Sequence, residues 1–154
     1  MNFQVTTTET EIIGIRTFDA PRELVWEVWT DPKQVAIWWG PNGFTNTIYE
    51  MDVKPGGVWR FTMHGPDGTD YANHIQFIEV VKYEKLVYDH GDDSNPKQFH
   101  VTVLFEKEGS KTKLTMTSKF PTKENLDQVK GYAIEGLGQT LERLREFVEK
   151  KAVH

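Results

Sequence analysis

Between Thr122 and Lys151 the chain places Leu126, Val129, Ala133, Leu137, Leu141, Leu144 and Val148 at steps of three and four. That spacing puts one apolar stripe on one long helix. Lys130, Glu135, Glu142, Arg143, Glu146 and Lys150 fall off the stripe. Thr122, after Pro121, suits the N-cap, and Glu124 suits the positive end of the helix dipole. A helix of this length spans roughly 40 Å at 1.5 Å per residue, so it needs an equally long partner surface. The candidate is the strand-rich region over residues 44–120. Gly131, Gly136 and Gly138 lie inside the helical pattern, and each costs on the order of 1 kcal/mol relative to alanine. Something other than helix propensity places them there.

The preceding chain alternates with period two. Glu11 to Phe18 reads as a strand. Asp19 then reads as an N-cap, Pro21 as part of a first helical turn, and Val25, Val28 and Trp29 as a short apolar face. Thr30-Asp31-Pro32 ends that helix, and a second short one follows over Pro32 to Trp38. Strands are then expected at Phe44–Asp52, Val58–His64, Thr69–Val80, Leu86–His90, Gln98–Glu106 and Lys111–Lys119, joined by turns such as Lys54-Pro55-Gly56-Gly57 and Gly65-Pro66-Asp67-Gly68. Trp59, Phe61 and Met63 share one face, as do Phe99, Val101, Val103 and Phe105, and Ile75 with Phe77. One sheet face is therefore dry and the other wet. The prediction is an α+β fold of helix-grip architecture. Seven antiparallel strands curve around the long C-terminal helix, with two short helices after the first strand. Residues 1–154 are read as one domain, with a core over about residues 11–150.

Several motifs carry a resemblance, in order along the chain. They are Arg16-Thr17-Phe18-Asp19-Ala20-Pro21 with Val25-Trp26, Trp38-Trp39-Gly40-Pro41, Asp52-Val53-Lys54-Pro55-Gly56-Gly57, Gly65-Pro66-Asp67-Gly68, Glu84-Lys85-Leu86-Val87-Tyr88 and Glu135-Gly136-Leu137. Together they resemble the activator-of-Hsp-ATPase homologue-like family of the START/Bet v-like (SRPBCC) superfamily, in a single-domain member. The family often has an aromatic residue where this chain has Leu137. The resemblance implies a hydrophobic cavity that binds a small apolar molecule.

Composition removes several other chemistries. There is no cysteine, so no thiolate nucleophile, disulfide or cysteine-ligated metal. The net charge of −5, with acids and bases interspersed, argues against a nucleic-acid partner. No apolar run approaches the ~18 residues of a membrane span. Met1 to Thr10 lacks a signal-peptide core, and a cytoplasmic location is expected. No nucleophile elbow, HExxH, phosphate-binding loop or dinucleotide fingerprint occurs. No catalytic residue, metal ligand or cofactor is assigned. By strand parity His64 and His100 should face solvent. His74 and His90 are not placed by parity, and either, facing inward, would be the candidate general base.

Aromatic content, at 12%, is high, and aromatic side chains serve cavities as well as cores. The expected ligand-binding set is Trp38, Trp39, Phe44, Trp59, Phe61, Met63, Ile75, Phe77, Tyr88, Phe99, Val101, Tyr132, Gly136 and Leu137. Tyr88, Tyr132, Asn73 and Glu50 are candidates for the few polar groups such a pocket carries. The reading is a binder of a small hydrophobic or aromatic molecule, acting as a monomer or homodimer. The alternatives are a cyclase- or hydrolase-like enzyme on an aromatic or polyketide-type substrate, and a chaperone-interacting stress protein.

Overall fold

The computed structural model describes residues 3–153. Met1, Asn2 and His154, which the single-domain expectation included, lie outside the described residues. The strands are β1 (Gln4–Thr7), β2 (Glu11–Phe18), β3 (Thr45–Met51), β4 (Val58–His64), β5 (Asp70–Val81), β6 (Lys85–Gly91), β7 (Phe99–Glu108) and β8 (Lys111–Lys119). The helices are α1 (Arg22–Thr30), α2 (Pro32–Trp38) and α3 (Lys123–Ala152). All eight strands form one antiparallel sheet in the order β1-β2-β8-β7-β6-β5-β4-β3. Register shifts at Ile48/Glu50 and Phe77/Glu79 mark bulges, which bend strands and increase their twist. The curved sheet carries α3 on its concave side. This is the predicted helix-grip fold, with eight strands where seven were expected.

The extra strand is β1, paired with β2 from Gln4↔Ile15 to Thr7↔Ile12. It is four residues long and mostly exposed, so no buried face imposes the alternation from which a strand is read. A second departure is at the start of α1. Pro21, in extended conformation, is the N-cap, with no side-chain cap. Asp19 instead turns its backbone N–H to Glu149 Oε2 at 2.8 Å, and the Thr112 hydroxyl donates to Ala20 O at 2.7 Å. The chain before α1 is pinned by α3 and β8, so Asp19 is used for docking rather than capping. At the other helix starts, Asp31 accepts from the Lys33 N–H and Thr122 from the Asn125 N–H.

The core occupies one end of the concave side. Trp26, Trp29 and Trp38 from the short helices meet Trp59, Phe61, Phe77, Tyr88 and Phe105 from the sheet. Leu141, Leu144 and Val148 from the second half of α3 are fully buried against them. Arg16, buried on the inner face of β2, pairs with Glu142, which also binds Arg145. Hydrogen bonds from Arg145 first, and the Arg16 charge as well, bring the Glu142 carboxyl down to about 2. The first half of α3 is different. Only Leu126 is buried there, on Ile12 and Phe120, whereas Val129, Ala133 and Leu137 are half-buried although they lie on the same stripe.

Candidate functional site

The half-buried middle of α3 faces a cavity of about 760 Å³. Its sheet wall is made by Ile12 of β2, Met116 and Ser118 of β8, Phe99 of β7, His90 of β6, Tyr71 and Asn73 of β5, and Met63 of β4. Val129, Tyr132, Ala133, Gly136, Leu137 and Thr140 of α3 lie opposite. Trp39, Gly40, Pro41 and Phe44 close one end. Asn95, Gln98, Phe120, Pro121, Asn125 and Gln128 surround the other. No Asp, Glu, Lys or Arg is among these lining residues.

Of the expected ligand-binding set, the structure brings Trp39, Phe44, Met63, Phe99, Tyr132, Gly136 and Leu137 to the cavity. Tyr132 stands at its rim, 70% exposed. Trp38, Trp59, Phe61, Ile75, Phe77, Tyr88 and Val101 are placed in the packed core instead, each no more than 2% exposed. The reason is position along the strand. Each central strand turns its inner face to the core over one stretch and to the cavity over the next. The change falls between Phe61 and Met63, Ile75 and Asn73, Tyr88 and His90, and Val101 and Phe99. Trp38 packs edge-on against Trp29 at 5.0 Å and donates its indole N–H to Val28 O at 3.0 Å. Trp39 spans both zones, packing on Trp59 at 4.9 Å while reaching the cavity. Glu50, a candidate polar group, lies outside on an ion pair with Arg60. Tyr88 is sealed in the core with an unpaired hydroxyl, and burial pushes its pKa up.

The helix glycines also divide. An added Cβ at Gly131 would meet open space, so that residue does not face the sheet. At Gly138 it would meet Phe3 at 3.2 Å, and at Gly136 it would meet Pro41 Cγ at 3.3 Å. Gly136 therefore admits the cavity's end loop as well as lining space. The loop is held there by Arg143, whose guanidinium donates to the carbonyls of Ile37, Trp39, Gly40, Pro41 and Phe44. Desolvation lowers the Arg143 pKa, but an arginine stays charged at any working pH. The Asn42 N–H adds a bond to Gln139 Oε1 at 3.0 Å.

The histidines separate by face. His64, His74 and His100 each meet an aspartate, Asp70, Asp93 and Asp89, on the convex side. His64 also contacts the Thr47 hydroxyl at 2.7 Å, so Thr47, His64 and Asp70 form a relay. That relay lies outside the cavity and ties β3, β4 and β5 together. His90 alone of these four faces inward. Its Nε2 is 2.8 Å from Asn73 Oδ1, and burial lowers its pKa to about 4. It is neutral at pH 7 and a weak base. Period-two alternation from Tyr88 carries a signal for His90, two residues on and on the same face. The amides Asn95, Gln98, Asn125 and Gln128 give no such signal, because they come from a loop and from the exposed first turns of a helix. Among the described residues, no cluster of three metal-ligating side chains occurs, and no helix is long and apolar enough to cross a membrane.

The chain matches known proteins in fold and family. Residues 19–149 match the family described as Activator of Hsp90 ATPase homolog 1-like protein. A solution structure of a protein from Arthrobacter aurescens is 26% identical, covers 96% of this chain and 91% of its own, and superposes with a TM-score of 0.87. A crystal structure of a protein from Mycobacterium smegmatis is 24% identical over 100% of this chain and 99% of its own, at a TM-score of 0.86. An AHSA1-like protein from Aeromonas hydrophila is 22% identical over 94% and 95%, at 0.72. No curated protein matches the sequence.

Proposed function

The chain belongs to the Activator of Hsp90 ATPase homolog 1-like family, and from that premise we propose that it binds a small, uncharged, mainly apolar molecule between the sheet and the first half of α3. The observation that carries this reading is a cavity of about 760 Å³ whose wall combines Ile12, Met63, Phe99, Met116, Val129 and Leu137 with uncharged polar groups only. Small-molecule sites typically measure about 300–1,000 Å³ and are apolar with a few placed polar groups. A charged ligand would have to lose its hydration here without a counter-ion, which is costly.

An enzyme in this cavity would have His90, Tyr71 and Tyr132 as its ionisable groups. With burial holding His90 near 4, general-base catalysis at neutral pH is poorly supported, because catalytic bases work best with a pKa near the working pH. Binding without turnover is the better supported reading.

Of the five tryptophans, Trp39 is the one that lines the cavity. Titration with biphenyl should therefore change tryptophan emission saturably. In Trp39→Phe the emission change should fall away while calorimetry still records binding. Neither heat nor emission change with biphenyl, together with no small molecule retained in native mass spectra of the purified protein, would overturn the reading.

A further inference from the structure

The surroundings of His90 fix which of its nitrogens carries the proton. Asn73 Nδ2 donates to the Tyr71 carbonyl at 3.0 Å. The Asn73 amide is thereby oriented, and its oxygen is the atom presented to His90 Nε2. An amide oxygen only accepts, so Nε2 is the donor. In a neutral imidazole the other nitrogen, Nδ1, then bears a lone pair. Nδ1 has no hydrogen-bond partner among the described residues, and it is not one of the sealed unpaired atoms of the interior. On a residue that lines the cavity, its accessible side is the cavity.

The ring is also held in place. Phe61 lies 6.3 Å from it and Phe99 4.8 Å, centroid to centroid. Phe99 stacks on Phe120 at 5.1 Å and 21°. His90 therefore stands beside a flat aromatic wall, with an acceptor turned toward the cavity and no cationic or anionic side chain around it.

We infer that the cavity selects an uncharged aromatic or apolar ligand bearing a hydroxyl, whose O–H donates to His90 Nδ1, and that Asn73 is the positioning residue that holds the acceptor tautomer. The inference rests on the cavity reading above and specifies its ligand. An ether or hydrocarbon of the same shape leaves the acceptor desolvated and unpaired, which is the costly case for a buried polar group. A carboxylate is worse placed. Its charge meets a lone pair, and burial opposes the protonation of His90 that would offset it.

Three probes of one shape separate these cases at pH 7: 4-phenylphenol, 4-methoxybiphenyl and biphenyl-4-carboxylate. Calorimetry on the full chain should give the phenol an affinity about ten-fold or more above the ether, with the carboxylate weakest. Nitrogen-15 NMR of the imidazoles should show His90 as the Nε2–H tautomer in the free protein. Its Nδ1 resonance should move with the phenol and stay with the ether. His90→Phe should bring the phenol-to-ether ratio close to one. Asn73→Ala should mix the two tautomers in the NMR spectrum and reduce the preference. The NMR measurements need no variant, so they decide the matter even where a substitution unfolds the protein. An Nδ1–H tautomer in the free protein, or an ether that binds as tightly as the phenol, would overturn the inference while leaving the cavity reading intact, whereas a carboxylate that binds best would overturn both the inference and the uncharged-ligand reading. Failure of all three probes and of biphenyl would remove the cavity reading, and this inference with it.

Discussion

Arg143→Ala is the substitution that most directly tests how the cavity's end loop is built. The guanidinium donates from Nη1 to Gly40 O and Pro41 O, both at 2.8 Å, and to Trp39 O at 3.3 Å. From Nη2 it donates to Ile37 O at 2.8 Å and Phe44 O at 3.2 Å. One side chain thus gathers the last turn of α2 and the whole connection to β3 onto α3. Hydrogen bonds from charged donors contribute about 1.5–3 kcal/mol each in favourable cases. These five share two nitrogens, and the carbonyls nearest solvent will take water after truncation. Counting only the three short bonds at about 1 kcal/mol each gives a loss of about 3 kcal/mol. For a chain of this size, at 2–4 °C per kcal/mol, Tm should fall by about 6–12 °C. Arg143→Lys keeps the charge but concentrates its donors on one nitrogen, so it should recover less than half of the loss. Because arginine does not titrate in the working range, the deficit should be equal at pH 6 and pH 8. Thermal and urea melts of both variants measure it. A Tm for Arg143→Ala within about 2 °C of the parent, or a lysine variant as stable as arginine, would refute this account of the loop.

The glycines of α3 should respond unequally. Gly131→Ala, into open space, should stabilise by up to about 1 kcal/mol through helix propensity and a stiffer unfolded chain. Gly136→Ala meets Pro41 Cγ at 3.3 Å, so its gain should be largely cancelled, and Gly136→Leu should lower biphenyl affinity. Urea melts and calorimetry rank the three, and a larger gain at Gly136 than at Gly131 would be the failing result. Acid should destabilise the fold in two windows. His90 has a folded pKa of about 4 against 6.5 in the unfolded chain, so the unfolded state binds more protons and stability falls as pH drops from 6.5 to 4, by on the order of 2–3 kcal/mol. Glu142, brought from 4.5 to about 2, adds stability above pH 4.5 that is lost as pH falls toward 2. In His90→Phe the first slope should vanish and the second persist. An unchanged slope between pH 6.5 and 4 would count against a desolvated, neutral His90.

The fold was legible because two periods dominate the sequence. The stripe from Leu126 to Val148 sets α3, and alternation such as Trp59/Phe61/Met63 sets each strand's inner face. Parity says which way a side chain points and nothing about how far along the strand it sits. Tyr88 and His90 share a face, yet one is sealed in the core and the other lines the cavity. Register across several strands, with the bulges at Ile48/Glu50 and Phe77/Glu79, fixes that boundary, and no local pattern encodes it. Trp38 and Trp39 illustrate the same limit. Adjacent in sequence, they part because Trp38 still belongs to α2 and follows it into the core, whereas Trp39, the residue after the helix, extends toward the cavity. The Arg143 clamp depends on contacts that span 99 to 106 residues of sequence, and the amide rim joins a loop to the start of a helix, which no periodicity reports.

Side-chain size, rather than missing structure, keeps the cavity open. From Leu126 to Leu141, the two buried contacts that bracket it, α3 crosses about 22 Å at 1.5 Å per residue. The helix is pinned at both ends of this span. Leu126 sits on Ile12 and Phe120, and Leu141, Leu144 and Val148 sit in the core, with Glu142 on Arg16. Between the pins, α3 turns Ala133 and Gly136 to the cavity, and the sheet answers with Ser118 and Asn73. Gly14 lets Leu137 come close to β2, since a Cβ there would lie 2.6 Å from Leu137 Cδ2. Close approach at Leu137 and small or polar groups around it leave a volume that neither helix nor sheet can fill. The pinning residues Leu126, Leu141, Leu144 and Val148 do not line the cavity, so the docking of the helix and the wall of the cavity rest on different side chains of α3. Under the proposed function, biphenyl should raise Tm by an amount that grows with the logarithm of its concentration over Kd.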